Sequence, residues 1–202
     1  MQKRIVRCMY YGDKKGARRL LAHSDFSRID FEALERDPEE LFDDFEFGRC
    51  IERAMKHSTH KMYVEMRYDT FRNLLAEEVY LRDNKVAPSI VADAPVLLTN
   101  RYRYENLNPR SRVMAEVADC ISYYGYEEGH ALLKEVPGSD GEREALQELG
   151  PVFVMCLGRD DKTEVSVTPS MARQLIADAM WSRSHYGSTA SRHPVEPKNE
   201  AQ

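Results

Sequence analysis

Residues 152–167 read Val-Phe-Val-Met-Cys-Leu-Gly-Arg-Asp-Asp-Lys-Thr-Glu-Val-Ser-Val, and the predicted fold rests most heavily on them. Residues 152–157 are apolar, residues 158–161 are turn formers, and residues 162–167 alternate polar with smaller or apolar side chains. Two such runs on either side of a short polar turn are typical of a β-hairpin. The sequence therefore predicts a C-terminal β-hairpin, followed by a helix that begins at Thr168-Pro169.

Working outward, three further segments are predicted as strands from their β-branched and aromatic residues or their alternation. They are residues 4–11, 61–68 and 96–104. Helices are expected where a capping residue or a proline precedes apolar residues at helical spacing. These helices are residues 17–23, the segment from Asp37-Pro38, the segment after Asp69, the segment from Asn108-Pro109 to Gly125, and residues 127–136 and 141–149. Since hairpins and helices mix without a regular βαβ order, we expect an α+β fold with a small antiparallel or mixed sheet packed against several helices.

The segment after Asn108 has the most regular helical stripe of apolar residues in the chain. We expect this stripe to face the core, because its members recur at intervals of three and four. They are Val113, Val117, Cys120, Ile121 and Tyr124.

The length and composition of the chain fit one ordinary domain. It has 202 residues, of which 42% are hydrophobic, and a formal net charge of −5. We expect residues 1–183 to form a single α+β domain and residues 184–202 to form a disordered C-terminal tail, because the tail is polar and contains prolines. No stretch approaches the roughly 18 apolar residues of a membrane-spanning helix, so we expect no membrane partner. The oligomeric state is left open.

The cysteines and the first residues predict a cytoplasmic location. Cys8, Cys50, Cys120 and Cys156 are widely spaced and have apolar neighbours. A domain of this size does not need disulfides, so we interpret them as buried thiols. No apolar run follows the first charged residues, and we therefore expect no secretory signal.

The most unusual feature is the acidic segment, residues 30–47, in which 9 of 18 residues are Asp or Glu. We expect an exposed acidic face that binds a basic protein or nucleoprotein partner, formed by Glu35, Glu39, Glu40, Asp43 and Asp44. Apolar residues between these acids, such as Leu41 and Phe45, would then face the core. The alternative is a solvated amphipathic helix with acids near its positive end.

Basic residues concentrate near the N-terminus, where Lys14, Lys15, Arg18 and Arg19 follow Gly12. A turn between a strand and a helix could hold a phosphate with backbone amides and these charges. The spacing is not that of a P-loop, so an ordinary surface turn is the alternative. These bases could equally pair with the acidic segment.

Arg101 and Arg103 alternate with Tyr102 and Tyr104 on a predicted strand. Nucleic-acid-binding sheets use exposed aromatic residues to stack bases and cations to hold phosphates. The alternative buries the two tyrosines and leaves the arginines solvated.

Catalytic and metal motifs are weak. Glu65, Arg67 and Asp69 form the one arrangement that resembles a nuclease active site, and we assign no catalytic residue from it. Cys50, His57 and His60 lack the second ligand pair that zinc sites usually show. We therefore expect no metal and no cofactor.

Together these patterns predict a non-enzymatic interaction or regulatory protein that acts through its acidic face. By analogy, such a protein could serve as an accessory or counter-defence protein of a mobile element. The alternatives are a small phosphate-ester enzyme, similar to a nuclease, with a basic N-terminal face, and a protein that binds nucleic acid directly.

Overall fold

The structure, a computed structural model, describes residues 1–56, 64–90, 94–98, 109–158 and 167–190. These ranges form α-helices and one 3-10 turn, Pro38–Glu40. The helices are α1 (Gln2–Gly12), α2 (Lys14–Ala22), α3 (Phe31–Leu34), α4 (Leu41–Asp44), α5 (Phe47–Met55), α6 (Tyr68–Asp83), α7 (Pro109–Tyr124), α8 (Tyr126–Lys134), α9 (Asp140–Glu148), α10 (Gly150–Leu157) and α11 (Pro169–Ala190). Within these ranges the only β-type pairing is an isolated antiparallel bridge between Ser24 and Ile29. The predicted α+β fold with a sheet is therefore wrong, because the described part of the chain is helical.

Residues 4–11, predicted as a strand, belong to helix α1. Ile5, Val6, Met9 and Tyr10 are all buried, and their spacing puts them on one helical face. That face packs against α5 and α6. Burial of a whole helical face outweighs the preference of β-branched residues for strands, since helix propensities differ by less than about 1 kcal/mol per residue.

The first half of the predicted hairpin is helix α10, which has Pro151 in its first turn. Val152, Phe153 and Cys156 pack against the core, while Val154 and Met155 are exposed. This one-sided burial follows a helical period rather than the alternation of a strand. Residues 159–166, which contain most of the second half, lie outside the described residues.

The other two predicted strands are also absent from the described residues. Residues 64–67 are irregular, and Tyr68 already begins α6. Residues 96 and 97 form a bend, and residue 98 is irregular. Positions 61–63 and 99–104 lie outside the described residues.

The helix starts predicted at Asp37-Pro38 and Thr168-Pro169 are confirmed, the first of them as a 3-10 turn, whereas the start predicted after Asp69 is wrong because α6 begins at Tyr68. Asp37 accepts a hydrogen bond from the Glu39 amide at 3.0 Å, and Thr168 accepts one from the Met171 amide at 3.2 Å. Helix α11 continues to Ala190, through residues that the sequence assigned to the tail. Residues 191–202 lie outside the described residues.

The predicted stripe on α7 is partly right. Val117 and Ile121 are buried, but Val113 and Tyr124 are exposed. The buried face of this helix is completed by small or flexible residues that the stripe omitted, namely Met114, Ala115 and Ala118.

Helices α6 and α11 form the centre of the molecule. Helix α6 packs against α1, α2 and α11, and α11 also packs against α7 and α8. Apolar residues such as Phe71, Leu75, Ile176 and Met180 are buried there.

The same α6–α11 interface contains buried arginines. Arg173 donates to both carboxylate oxygens of Glu77 at 2.9 Å and to Glu142 at 2.8 Å. It also donates to the backbone carbonyls of Leu133 and Glu135 at 2.8 Å. Burial alone would lower the pKa of Arg173, but its partners Glu77 and Glu142 outweigh this and raise it.

Arg72, which is 1% exposed, forms a second buried ion pair with Asp178 and donates to the Ser24 hydroxyl at 2.9 Å. Arg183 donates to the Ser122 hydroxyl at 3.0 Å. Each guanidinium is thus satisfied by several acceptors, as a buried charge requires.

Two disulfides join helices that are distant in sequence. Cys8 of α1 is bonded to Cys50 of α5, and Cys120 of α7 to Cys156 of α10. Their Cα atoms are 5.6 and 5.7 Å apart, the usual separation for a disulfide. The interpretation of these cysteines as thiols is therefore wrong for this structure.

Among the described helices, none has both the length and the apolar character that crossing a membrane requires.

Candidate functional site

The acidic segment folds into short helical pieces that its own acids cap. Asp30 accepts from the Ala33 amide at the start of α3, and Asp37 caps the 3-10 turn. Glu35 and Glu46 adopt left-handed backbone conformations with φ of 54° and 52°. These two positions end one helical piece before the next begins, so the segment wraps around the core instead of forming one long helix.

Acidic side chains of this segment point outward and apolar ones inward. Leu41 is 0% exposed and Phe45 is 4% exposed, whereas Glu39, Glu40 and Asp43 are exposed. Because the chain is helical from residue 38 to 44, Glu39 and Asp43 lie one turn apart. This is the arrangement that the sequence predicted for an acidic face.

Two of the five predicted face residues have cationic neighbours. Asp44 forms an ion pair with Arg36, and a carboxylate oxygen of Glu35 lies 3.9 Å from the Arg19 guanidinium. For Glu39, Glu40 and Asp43, no ion pair to any described residue is present. Like charges one helical turn apart repel each other by a few tenths of a kcal/mol, so the face has a small electrostatic cost.

An aromatic cleft of about 780 Å³ opens beside the acidic segment. It lies between residues 25–32, which include the start of α3, and the start of α6. Its aromatic side chains are Phe31, Phe42 and Tyr68, and the Phe42 and Tyr68 rings are stacked with centroids 5.1 Å apart. Phe31 meets Tyr68 edge to face at 5.7 Å.

Asp25, which lines this cleft, is 2% exposed. Its Oδ1 accepts hydrogen bonds from the Ser27 amide, the Ser27 hydroxyl and the Arg28 amide at 2.7 to 3.0 Å. Its Oδ2 is buried and has no hydrogen-bond partner among the described residues. Sequence reasoning missed Asp25, and the one signal for it was an aspartate two positions before a serine, which is typical of an Asx turn.

The structure places the predicted nuclease residues only partly together. Arg67 and Asp69 line the aromatic cleft and are joined by an ion pair of 3.0 Å. Glu65 is exposed and does not line it. The three side chains therefore do not converge on one point.

In the predicted phosphate-binding turn, a carboxylate of the chain itself already bonds one of the backbone amides. The carboxylate of Asp13 accepts a hydrogen bond from the Gly16 amide at 2.7 Å, at the start of α2. Arg18 is bound to Asp83 through both of its terminal nitrogens, and this pairing raises the pKa of the Arg18 guanidinium. Lys14 lies over the Tyr11 ring, and Lys15 is exposed.

A different group of cations lines a groove of about 720 Å³. This cationic groove contains Lys3, Arg4 and Arg7 of α1, and Lys134 from the end of α8. Lys3 and Arg7 are paired with Glu77 and Glu78 of α6, respectively, whereas neither Arg4 nor Lys134 is paired to a described residue. The sequence pointed to the bases of α2 instead of those of α1, and it gave no signal for Lys134, which is more than a hundred residues away from α1.

Several predicted residues lie outside the described residues. Arg101 and Arg103 are among them, as are His57 and His60. Cys50, the third residue considered as a metal ligand, is bonded to Cys8. The prediction that the protein binds no metal stays a prediction.

Comparisons with protein-family models, with curated proteins and with solved structures find no match to this chain. Any function must therefore be argued from the surfaces described above.

Proposed function

We propose that this protein binds a basic protein or nucleoprotein partner through the acidic segment. The supporting observation is that Glu39, Glu40 and Asp43 are exposed together without a cationic partner among the described residues. Such a face attracts a basic partner over a distance of about a Debye length, roughly 8–10 Å at physiological salt. Regulatory or accessory roles, including counter-defence in a mobile element, are the settings that we propose for it.

The mechanism has two parts. The unpaired carboxylates speed the encounter with a basic surface, because complementary charge raises the association rate more than it slows dissociation. The buried Leu41 and Phe45 hold the backbone of the segment against the core, so the carboxylates are presented in a fixed arrangement. A fixed arrangement lowers the entropy lost on binding.

The test compares two variants with the same change in net charge. The first is E39Q/E40Q/D43N, and the control is E127Q/E144Q/E148Q, which neutralises three exposed acids elsewhere. Partners captured from host lysate are identified by mass spectrometry, and their association rates are then measured at low and moderate salt. We expect the first variant to lose association rate and salt dependence, and the control to behave like the wild type.

Equal partners, rates and salt response for the wild type and E39Q/E40Q/D43N would show that the acidic face is only a solvated surface. Equal losses in both variants would show that net charge alone, and not this face, attracts the partner.

A second candidate function, direct binding of nucleic acid, is favoured by the cationic groove. Lys3 and Arg4 lie in the first turn of α1, where the helix dipole disfavours cations, and Arg7 lies in the next turn. Arg4 and Lys134 are unpaired among the described residues, so they are available to a phosphate. A nucleoprotein partner would offer both a basic surface for the acidic segment and phosphates for this groove.

This second function is tested by fluorescence anisotropy with a labelled single-stranded oligonucleotide. We expect R4E/K134E to bind more weakly than K14E/K15E, which changes the net charge equally on α2. Identical affinities for the two variants would exclude the groove as the binding surface.

A cytoplasmic location also belongs to the proposal, and the cysteines test it. Disulfides are rare in the cytoplasm because thiols there are kept reduced. If the protein is cytoplasmic, the two disulfides of the structure should not persist in the cell, and all four cysteines should react with an alkylating reagent in freshly lysed cells without added reductant. Cysteines that react only after reduction would place the protein in an oxidising compartment.

A further inference from the structure

We propose that the aromatic cleft binds the guanidinium group of an arginine side chain presented by the basic partner. The acidic segment would attract the partner, and the cleft would anchor one residue of it. This inference rests on the proposed function and goes further, since it names the side chain and the site that receives it.

The first argument is the unpartnered carboxylate oxygen of Asp25. A buried acceptor without a hydrogen bond lowers the stability of the folded protein, and it does so more strongly when it is charged. Its other oxygen is already engaged by Ser27 and the Arg28 amide, which fixes the carboxylate in one orientation. Because this oxygen is shielded from solvent, the Asp25 carboxylate would hold a guanidinium in the cleft through its negative charge, while the five N–H donors of the guanidinium bond other acceptors of the lining.

The second argument is the aromatic lining. Phe31, Phe42 and Tyr68 come together at this cleft, and Tyr68 is exposed. Aromatic faces attract cations, and arginine more often than lysine, because a planar guanidinium can also stack on the ring. An aromatic wall beside a carboxylate therefore suits arginine better than a neutral or anionic group.

The charges that line the cleft are compatible with a cation. The acidic residues are Asp25, Asp30, Glu32 and Asp69, and the basic ones are Arg28, Arg67 and Arg72. Arg67 is paired with Asp69 and Arg72 with Asp178, so each of these two cations is balanced by its own carboxylate. An incoming guanidinium is therefore opposed by less positive charge than the number of arginines suggests.

The size of the cleft fits an anchored side chain. Sites for small ligands have volumes of about 300–1,000 Å³, and this cleft measures about 780 Å³. It therefore has room for an arginine side chain together with the backbone on either side. Anchors in protein interfaces are enriched in arginine and lie in such pockets, surrounded by residues that exclude water.

The test uses defined peptides in place of the unidentified partner. The probe is an amidated peptide, Lys-Gly-Ser-Arg-Ser-Gly-Lys, and two matched peptides carry citrulline or lysine in place of the arginine. Citrulline keeps the shape of arginine but has no charge. Affinity is measured by titration calorimetry, and binding in the cleft by NMR shifts of the residues around Tyr68. We expect the arginine peptide to bind about tenfold or more tightly than the citrulline peptide.

Asp25→Asn is the decisive variant, because asparagine keeps the oxygen that accepts from Ser27 and Arg28. We expect it to reduce binding of the arginine peptide to the level of the citrulline peptide. Asp37→Asn is the control, since it removes one charge from the acidic segment without touching the cleft and keeps its capping oxygen. We expect the control to change the affinity by less than about twofold.

A second pair of variants keeps the test decisive if Asp25→Asn does not fold. Tyr68→Leu removes the aromatic face and should abolish the preference for arginine over lysine, whereas Tyr68→Phe should retain it. Wild-type protein with equal affinity for all three peptides would overturn the inference, as would a Tyr68→Leu variant that still prefers arginine.

Failure of this inference can be distinguished from failure of the proposed function. If E39Q/E40Q/D43N loses its partner but Asp25→Asn binds the arginine peptide normally, the acidic face is correct and the cleft is not its anchor. If Asp25→Asn loses the peptide but E39Q/E40Q/D43N keeps every partner, the cleft binds arginine without help from the face.

Discussion

The acidic segment and the α6–α11 interface are both rich in charged side chains, but their charges have opposite environments. At the interface, Arg72 and Arg173 are buried and bonded to several acceptors each. In the acidic segment, Glu39 and Asp43 are exposed and have no cationic partner among the described residues. The same chain therefore pairs the charges that it buries between helices and leaves these two exposed carboxylates without a described cationic partner.

We call the buried, paired charges of the interface structural, because they hold helices together. We call the exposed charges of the acidic segment available, because they can bind another molecule. A buried ion pair replaces the lost hydration of both ions and specifies how two helices meet. An exposed carboxylate next to another carboxylate contributes nothing to the fold and slightly opposes it. Charge that costs stability and has no internal partner is the charge that another molecule can use.

The largest expected effect is at the buried pair. Arg173→Met should lower the free energy of unfolding by about 3–5 kcal/mol, because it leaves Glu142 buried without its cation and Glu77 with Lys3 alone. Arg143→Met, which breaks an exposed pair with Asp140, should cost less than about 1 kcal/mol. Chemical denaturation measures both, and equal costs would erase the distinction between structural and available charge.

Reduction of the disulfides comes next. Removing the Cys8–Cys50 bond as C8A/C50A should cost about 2–4 kcal/mol, since the bond closes a long loop in the unfolded chain. Because Cys50 follows the acidic segment directly, hydrogen exchange should rise in residues 30–47 more than in α11. C120A/C156A serves as the control, with faster exchange in α7 and α10. An equal rise in hydrogen exchange across all helices in both variants would show that the acidic segment does not open independently of the rest of the protein.

Acidic pH should weaken the region around α6 and α8. Burial, and secondarily the charge of Lys134, lowers the pKa of His130 from its ordinary value of 6.5, and its Nδ1 lies 2.9 Å from the Tyr80 hydroxyl. As the pH falls below about 6.5, the unfolded chain takes up this proton before the folded protein does, so stability decreases. The slope for one histidine is at most about 1.4 kcal/mol per pH unit.

His130→Asn keeps a polar group near Tyr80 and should flatten the loss of Tm between about pH 6.5 and 5. Part of the slope should remain, because burial and the nearby Arg18 also lower the pKa of His185. An unchanged slope in this variant would show that His130 is protonated equally in both states.

The smallest effect on stability is expected at the acidic face. E39Q/E40Q/D43N should unfold at the same denaturant concentration as the wild type, or be stabilised by a few tenths of a kcal/mol, because repulsion is relieved. A loss above about 1 kcal/mol would mean that these carboxylates are structural after all.

Local signals in the sequence predicted several helix boundaries correctly. Asp37-Pro38 and Thr168-Pro169 each combine a capping side chain with a proline at the first helical position, and both features act within one turn of helix. Such signals need no knowledge of the rest of the fold. The predictions made from them were therefore the reliable ones.

The strands were predicted wrongly because their evidence was composition over short segments. Residues 4–11 and 152–157 contain β-branched and aromatic residues, which suit a buried helix as well as a buried strand. What decides between them is the surface that they pack on, here α5 and α6 for the first and α7 for the second. That surface is made by residues far away in the sequence.

In the candidate site too, the sequence predicted features that depend on neighbouring residues but not those that depend on distant ones. The outward direction of Glu39, Glu40 and Asp43 followed from helical periodicity and could be predicted. Asp25 could not, because its environment depends on the contact between residues 25–32 and the start of α6. The buried Arg173 was missed for a related reason, since arginine is exposed in most proteins and only its partners explain its burial.

The distance in sequence between the buried partners has a consequence for synthesis of the chain. Arg72 and Asp178 are 106 positions apart, and Glu77 and Arg173 are 96 positions apart. A ribosome adds about 5–20 residues per second, so α6 exists for roughly 5–20 seconds before α11 emerges. During this interval, water contacts the carboxylates and apolar residues of α6 that α11 buries in the complete fold. A nascent chain that stops within α10 would therefore expose the surface of α6 that α11 covers in the folded protein, including charged residues whose ion-pair partners have not been made. Chaperones bind such surfaces, and proteases degrade chains that present them.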